Sequence, residues 1–191
     1  MTRISTFRLV SGTLATSAFA VLLAVLGSMA LAAQDKYTVK VPNGLAFSDF
    51  RGYEDWQTVT VSQIEALNLL RVILANPVMI KAYREGIPDN GKPFPNGSRI
   101  AKLEWTQKKI TVAPWSVSTP DTMAGTLKVV ELIEKDTDKF PDTHGWGYAE
   151  FAYDAASDTF KPAVNGAKCG AGCHEIAGPA RDYIYNAYAK R

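Results

Sequence analysis

The sequence has few of the residues that bind metals and almost no excess charge. Among 191 residues there are only two cysteines and two histidines, so a disulfide framework that replaces a hydrophobic core is excluded. The formal net charge of +2 comes from Arg3 and Arg8, because the other 19 Lys and Arg equal the 19 Asp and Glu. A balanced domain lacks the basic field that attracts nucleic acid or an anionic membrane, and we expect neither partner.

The first 33 residues are typical of an export signal rather than of a folded segment. Arg3 and Arg8 form a positive start, and residues 9–33 contain no charge. Residues 30–32, Ala-Leu-Ala, have the small-x-small pattern that precedes a signal-peptidase cleavage site. The uncharged run is also long enough for a membrane anchor, but Ser, Thr and Gly interrupt its first half. We predict a signal peptide over 1–33, a domain over 34–191, and a periplasmic protein with no membrane attachment after cleavage.

The hydrophobic pattern of residues 34–191 predicts an α+β fold. Alternating or β-branched runs indicate strands over 56–62, 67–75, 98–106, 127–135 and 146–153. Asn76 is a candidate N-cap, with Pro77 at the first position of a helix that runs through Glu85. We predict loops over 87–97 and 113–125, a coil leading to the cysteines, and a helix after Pro179. The expected fold is an antiparallel sheet of about four or five strands with packed helices.

Both cysteines lie in the segment Lys-Cys-Gly-Ala-Gly-Cys-His, residues 168–174. Two thiols followed by a histidine can attach haem covalently, because each thiol adds to a vinyl group while the imidazole binds the iron. The usual spacer between the cysteines has two residues, whereas here it has three, all small enough to avoid obstructing the porphyrin. We predict a covalently attached haem c near the C-terminal end, held by Cys169 and Cys173, with His174 on the iron.

Three other interpretations of the cysteine segment stay open at this point. A zinc site needs about four ligands, and the second histidine, His144, lies in a separate loop, where we expect a surface residue. A short-range disulfide is compatible with export, although so small a loop would stabilise little. A thioredoxin-like redox pair uses a two-residue spacer in a βαβ setting, which this sequence does not predict.

From about Tyr53 to the C-terminus the sequence resembles the cytochrome P-460 family of exported haem proteins. Three segments resemble family segments in the same order as the family has them: Lys-Asp-Thr-Asp-Lys-Phe at 135–140, Gly-Trp-Gly-Tyr-Ala-Glu-Phe at 145–151 and Asp-Tyr-Ile-Tyr at 182–185. The resemblance implies an antiparallel sheet, usually within a homodimer, and one five-coordinate haem.

The resemblance also implies three residues on the open side of the haem. Lys102 follows the Phe-x-x-Gly turn at 94–97 and occupies the place of a lysine that P-460 proteins cross-link to the haem edge. Glu131 and Arg71 match the family's distal glutamate and arginine. Simpler interpretations are an ion pair of Lys102 with Glu104 and, for Glu131, an ordinary strand carboxylate beside Lys128. Arg71 lies in an apolar run, where a buried guanidinium needs an acceptor.

The activity that the resemblance implies is oxidation of hydroxylamine or a similar small nitrogen compound, with a periplasmic electron acceptor as partner. Glu131 would be the general base, Arg71 would orient it or stabilise an anion, and Lys102 would tune the haem. Whether the protein is an enzyme stays open. The related cytochromes c′-beta bind nitric oxide or carbon monoxide in a phenylalanine-capped pocket, and a simple electron carrier would need a sixth ligand such as Met79 or Met123.

Overall fold

The structure is a computed structural model that describes residues 34–41, 45–110 and 121–189. The predicted signal peptide over 1–33 lies outside the described residues, as does most of the predicted loop over 113–125. Within the described ranges, no helix is long and apolar enough to cross a membrane.

Among the described residues, six antiparallel strands form one sheet, in which each strand pairs with the next strand along the chain. The strands are β1 Gln57–Ile64, β2 Leu69–Ala75, β3 Arg99–Ile110, β4 Asp121–Lys135, β5 Trp146–Asp154 and β6 Thr159–Pro162. The predicted α+β class and antiparallel sheet are confirmed, and the expected number of strands is slightly too low. β6 lies within the predicted coil before the cysteines, and β4 begins inside the predicted loop over 113–125.

The register of the central strands brings charged residues side by side. Arg71 of β2 lies opposite Glu104 of β3, and Lys102 of β3 lies opposite Glu131 of β4. Glu131 in turn lies opposite Glu150 of β5. Because alternate residues of a strand share a face and paired residues point the same way, all five side chains lie on one face of the sheet.

Apolar side chains pack against both faces of the sheet. The N-terminal segment covers one face with Leu45, Phe47 and Phe50, all fully buried. The other face packs against Met79 of the first helix and Ile184 of the C-terminal segment, also buried. The charged residues of the central strands lie on this second face, next to that second apolar cluster.

Two α-helices occur in the described residues, α1 Pro77–Arg84 and α2 Gly166–Glu175. α1 begins where the sequence predicts, because the Asn76 side chain accepts a hydrogen bond from the Met79 N–H and Pro77 takes the first helical position. α2 contains the whole cysteine segment. Short 3₁₀ turns cover Lys36–Thr38, Phe47–Phe50, Tyr53–Asp55, Glu65–Leu67, Pro141–Thr143 and Pro179–Arg181.

The helix predicted after Pro179 is wrong. In the part of the tail that the structure describes, up to residue 189, only the 3₁₀ turn Pro179–Arg181 forms, and the chain then continues without regular structure. Asp182 and Tyr183 both have left-handed backbone angles, with φ of 46° and 62°. A right-handed helix cannot include such residues, so the chain turns at this point instead of continuing the helix.

Candidate functional site

The two cysteines lie on one face of α2. Cys169 and Cys173 are four residues apart in the helix, a spacing that places side chains one above the other. Both are exposed free thiols. The helix approaches the sheet closely at Gly170, where an added Cβ would lie 2.8 Å from the Cβ of Tyr148 on β5. The close contact explains why a glycine occupies this spacer position.

His174 is held with one ring nitrogen bonded and the other available. Its Nδ1 lies 2.6 Å from the carbonyl oxygen of Tyr183, and because a carbonyl only accepts, Nδ1 carries the hydrogen. Nε2 is then the nitrogen with a lone pair, the form in which histidine binds metals. The ring packs against Tyr148 and Tyr185 at centroid distances of 5.0 and 5.4 Å.

Burial lowers the pKa of His174, and the positive charge of Lys102 acts in the same direction. The hydrogen bond to the Tyr183 carbonyl opposes these effects but does not cancel them. A lowered pKa favours the neutral imidazole, which is the metal-binding form. Burial and tautomer therefore both favour His174 as a ligand.

Ion pairs join the charged residues on the facing wall of the sheet. Lys102 pairs with Glu131, and its ammonium nitrogen is also 3.6 Å from an oxygen of Glu104. Arg71 Nε donates to Glu104 Oε1 at 2.7 Å, and Arg71 Nη2 lies 2.7 Å from the same oxygen. Burial lowers the pKa of Lys102, an effect that the Glu104 carboxylate opposes and the Arg71 charge reinforces. Glu131 is therefore more than a strand carboxylate beside Lys128, because it pairs with Lys102.

A cavity of about 610 Å³ lies between α2, the sheet and the C-terminal segment, within the usual size range of ligand sites. Its walls combine apolar, charged and thiol side chains. The lining residues are Arg71, Ile73, Ile100, Lys102, Glu131, Leu132, Ile133, Tyr148, Ala149, Glu150, Gly166, Cys169, Gly170, Cys173, His174, Ile184, Tyr185 and Asn186.

These residues fit a haem. Two thiols on one helix face could hold the edge of the macrocycle, and the free Nε2 of His174 could bind its iron. Isoleucines from three strands and from the C-terminal segment supply apolar walls, as a porphyrin requires. A zinc site has less support, because among the described residues no three His, Cys, Asp or Glu side chains gather into a metal-binding group.

The remaining histidine lies outside this cavity. His144 has a half-exposed side chain in the loop after Pro141–Thr143, and its Nε2 is 3.1 Å from Glu175. Its ring stacks on Tyr183 at 4.0 Å, with an angle of 7° between the planes. The structure therefore places His144 in a loop, where the sequence suggested it, and gives it a contact that the sequence did not predict.

A model of the family described as Cytochrome P460 matches residues 50–186 of the sequence. The chain belongs to the cytochrome P460 family. The match extends over all six strands, both helices and the lining of the cavity. Membership in the cytochrome P460 family implies a haem cofactor. No curated protein matches the chain.

In this cytochrome P460 chain, the structure brings all six predicted site residues to one cavity. They are Arg71, Lys102, Glu131, Cys169, Cys173 and His174. Among the described residues, Arg71 forms its ion pair with Glu104 rather than with Glu131. Glu104 is therefore the acceptor that the partly buried Arg71 guanidinium needs. Neither Met79, fully buried, nor Met123, half-exposed, is among the described residues that line the cavity.

Sequence reasoning missed three residues that matter to the site. Glu150 contributes a further carboxylate to the cavity, Tyr148 packs on His174, and the carbonyl of Tyr183 fixes its tautomer. The alternation of β5 places Tyr148 and Glu150 on one face, but only strand pairing shows that this face is the one that carries Lys102. No signal in the sequence points to a backbone carbonyl at Tyr183.

Proposed function

We propose that this protein is an exported c-type cytochrome that oxidises hydroxylamine or a similar small nitrogen compound. The observation that carries the proposal is a single cavity with two chemically different walls. One wall consists of the thiols and imidazole of α2, and the other presents Lys102, Glu131 and Arg71 from the sheet. Groups that can attach a haem and groups that can handle protons therefore face the same space.

Attachment would use the three α2 side chains. Each thiol S–H of Cys169 and Cys173 would add across one vinyl group and form a thioether. His174 would bind the iron through Nε2, because its Nδ1 hydrogen is committed to Tyr183. The placement of both thiols on one helix face supports this arrangement, since the two must meet the same edge of the macrocycle.

Proton handling would fall to Glu131. When bound, the haem supplies an iron with one open position, where a small nitrogen compound can bind and lose electrons. Glu131 would accept the protons that the substrate releases, as a positioned carboxylate general base does. Before Lys102 is linked to the haem, its ion pair with Glu131 holds the Glu131 side chain at the cavity wall. Arg71, already bonded to Glu104, would supply a fixed positive charge for a bound anion rather than orient Glu131.

Lys102 would carry the additional covalent link to the haem edge. Its side chain is 20% exposed and lines the cavity. The lowered pKa increases the share of neutral amine, which has the lone pair that a covalent bond requires. The link would replace one N–H of Lys102 and one C–H of the ring edge with an N–C bond, a two-electron oxidation for which a peroxide would be the oxidant. A second link at the ring edge would hold the macrocycle distorted and change its potential.

The remaining parts of the proposal concern the setting of the reaction. The export signal that the sequence predicts supports a periplasmic protein, and electrons removed from the substrate would then pass to a periplasmic electron acceptor. We also propose a homodimer, as the family resemblance implies. Gel filtration of the purified protein with light scattering measures the mass directly, and a monomer would remove this part alone.

Covalent attachment is tested by acid-acetone extraction of the purified protein. We expect haem to stay with the protein, to be held more loosely after Cys169→Ala or Cys173→Ala, to be kept through Lys102 alone after both, and to be extracted when Lys102→Leu is added to the two. A double variant that keeps covalent haem would leave a lysine link as its attachment. A wild-type protein that carries zinc and no haem would end the proposal.

The roles of Lys102 and Glu131 are separable by spectrum and turnover. Lys102→Leu should move a red-shifted Soret band to an ordinary c-type position and abolish hydroxylamine oxidation, whereas Lys108→Leu, at the exposed end of β3, should change neither. Glu131→Gln should keep the spectrum and lower turnover by roughly 10²-fold or more, the usual loss for a general base. Glu150→Gln shows whether the neighbouring carboxylate is the real acceptor, in which case its loss of turnover exceeds that of Glu131→Gln.

Two results would replace the proposed enzyme. An ordinary c-type spectrum that Lys102→Leu leaves unchanged, with ligand binding but no turnover, would identify a protein that binds nitric oxide or carbon monoxide. A six-coordinate, low-spin spectrum that small ligands do not alter would identify an electron carrier.

A further inference from the structure

Two of the family-like segments in the sequence meet in the structure at a buried ion pair. Lys135 begins the segment 135–140 and Asp182 begins the segment 182–185. The Lys135 Nζ lies 2.8 Å from Asp182 Oδ1, and the two side chains are only 4% and 9% exposed. Neither residue lines the main cavity among its described residues, so the proposed reaction gives the pair no role.

The ion pair fixes the turn that presents a carbonyl to His174. Asp182 and Tyr183 are consecutive left-handed residues, a conformation that costs energy for side chains other than glycine and needs outside support. Asp182 receives that support at both oxygens, because its Oδ2 also accepts from the backbone N–H of Phe94 at 2.8 Å. The carbonyl of Tyr183 then accepts the Nδ1 hydrogen of His174.

The same ammonium also holds the ring that packs on Tyr183. Lys135 Nζ donates to the carbonyl of His144 at 3.0 Å, and the His144 ring stacks flat on the Tyr183 ring. Tyr183 is therefore fixed from two directions, through the turn at Asp182 and through the stacked ring. Both supports depend on Lys135, which is anchored at the C-terminal end of β4.

We propose that the Lys135–Asp182 ion pair is a positioning device for His174, acting through the carbonyl of Tyr183. The inference rests on the proposed function, in which Nε2 of His174 binds the haem iron. A partner on the other ring nitrogen fixes the ring orientation and raises the basicity of the ligand. A firmly held carbonyl at Nδ1 thus strengthens electron donation to the iron and lowers the reduction potential.

A buried ion pair is better explained by such positioning than by stability. Removing two charges from water costs about as much as their attraction returns, and replacing a buried pair with neutral side chains is often tolerated. Removing one partner alone leaves an uncompensated buried charge and destabilises strongly. The informative variant therefore replaces both residues, as Lys135→Met with Asp182→Asn, in which asparagine still tolerates the left-handed turn.

The chain provides a matched control for this double variant. Arg99 and Glu134 form another ion pair at the neighbouring position of β4, with the Glu134 side chain only 7% exposed. Because Glu134 precedes Lys135 in the strand, it points to the opposite face of the sheet, away from His174. Arg99→Met with Glu134→Gln removes a pair that is buried at Glu134 and 34% exposed at Arg99, without touching the turn at Asp182.

The test uses the haem-loaded protein and two readouts other than turnover. In Lys135→Met/Asp182→Asn we expect the iron–histidine stretching band of the ferrous protein to move to lower frequency and the reduction potential to rise. The Arg99→Met/Glu134→Gln protein should match the wild type in both. An unchanged band in the first double variant, or an equal shift in the control, would overturn the inference.

A milder variant covers the case in which the double variant does not fold. His144→Asn removes the stacked ring at a half-exposed position and keeps a residue that tolerates its left-handed backbone. We expect a smaller shift of the same sign, and an unmoved band would count against the inference. A wild-type protein with no iron–histidine band would instead refute the ligand role of His174, which is a failure of the proposed function itself.

Discussion

Alanine substitutions at Gly170 and Gly172 test how α2 is docked on the sheet. Both glycines lie inside the helix and between the two cysteines. A Cβ at Gly170 would lie 2.8 Å from the Cβ of Tyr148 and 3.0 Å from its Cγ and Cδ1. A Cβ at Gly172 would meet no atom outside the helix within 4 Å. The same chemical change is therefore made once in a tight contact and once in open space.

The magnitudes follow from two opposing effects. Each substitution should gain up to about 1 kcal/mol, the difference in helix propensity between alanine and glycine. Gly170→Ala also forces the Tyr148 ring or the helix to move, and such overpacking costs about 1–3 kcal/mol. The propensity gain is common to both variants and cancels in the difference between their free energies of unfolding, so this difference should equal the steric cost at Gly170. For a domain of this size it corresponds to about 2–12 °C in Tm.

Thermal unfolding of the haem-loaded protein, followed by circular dichroism, measures this difference. We expect Gly172→Ala to unfold at or above the wild-type temperature and Gly170→Ala to unfold clearly below Gly172→Ala. Because His174 follows in the same helix, Gly170→Ala should also disturb the iron–histidine band, whereas Gly172→Ala should not. Equal unfolding temperatures for the two variants would refute the docking of α2 through Gly170.

Two further substitutions test the support of the fold around the site. Asn76→Ala should lower the free energy of unfolding by about 2–4 kcal/mol, because the buried Asn76 amide caps α1, donates to the Gly97 carbonyl and accepts from the Arg99 N–H. Urea unfolding measures this free energy, and a loss below about 0.5 kcal/mol would contradict the prediction. Gly147→Ala should destabilise by about 1–3 kcal/mol, because its Cβ would lie 2.2 Å from Cζ of the buried Phe140 ring. Adding Phe140→Ala to Gly147→Ala should cost less than the sum of the two single changes, and strict additivity would show that the two residues do not touch.

The elements that the sequence predicts well are those with strong local signals. α1 begins at an Asn-Pro pair, and β5 begins at Gly-Trp-Gly and continues with alternating aromatic residues. Both elements are therefore predictable from their own residues, without information from the rest of the chain. β6 is only four residues long, and its pairing with β5 rather than its composition makes it a strand. The start of β4 is likewise determined by pairing with the end of β3, beyond the apolar run that the sequence displays.

The site shows the same division between local and non-local information. Cys169, Cys173 and His174 are adjacent in sequence, so their pattern alone predicts a haem site. Lys102 and Glu131 meet because β3 and β4 pair in one particular register, and a shift of one residue would place them on opposite faces. The assignment of Lys102 and Glu131 to the site came from the resemblance to a family, because the composition of β3 and β4 does not indicate it.

The tail after Pro179 shows how a tertiary contact overrides a helical pattern. Ile184, Ala187 and Tyr188 have helical spacing, yet Asp182 and Tyr183 adopt left-handed angles that end any helix. The buried bond from Lys135 to Asp182 stabilises that turn from a strand 47 residues away. Local helix propensity is a weak effect that tertiary contacts can override, and the spacing of apolar residues does not reveal a partner so distant in the sequence.

The three-residue spacer between the cysteines follows from the same helix geometry. In a helix, four positions rotate a side chain by about 400° and raise it about 6 Å, so the Cys169 and Cys173 side chains point only about 40° apart. With a two-residue spacer, the two cysteine side chains would point about 60° apart. The histidine would then follow the first cysteine by four positions instead of five, which changes its direction around the helix axis by about 100°. With Gly170 packed against Tyr148, that rotation would direct His174 away from the Tyr183 carbonyl. The extra residue thus matches the cysteine segment to the way α2 is docked, and the docking contact, the tautomer of His174 and the spacer length depend on one another.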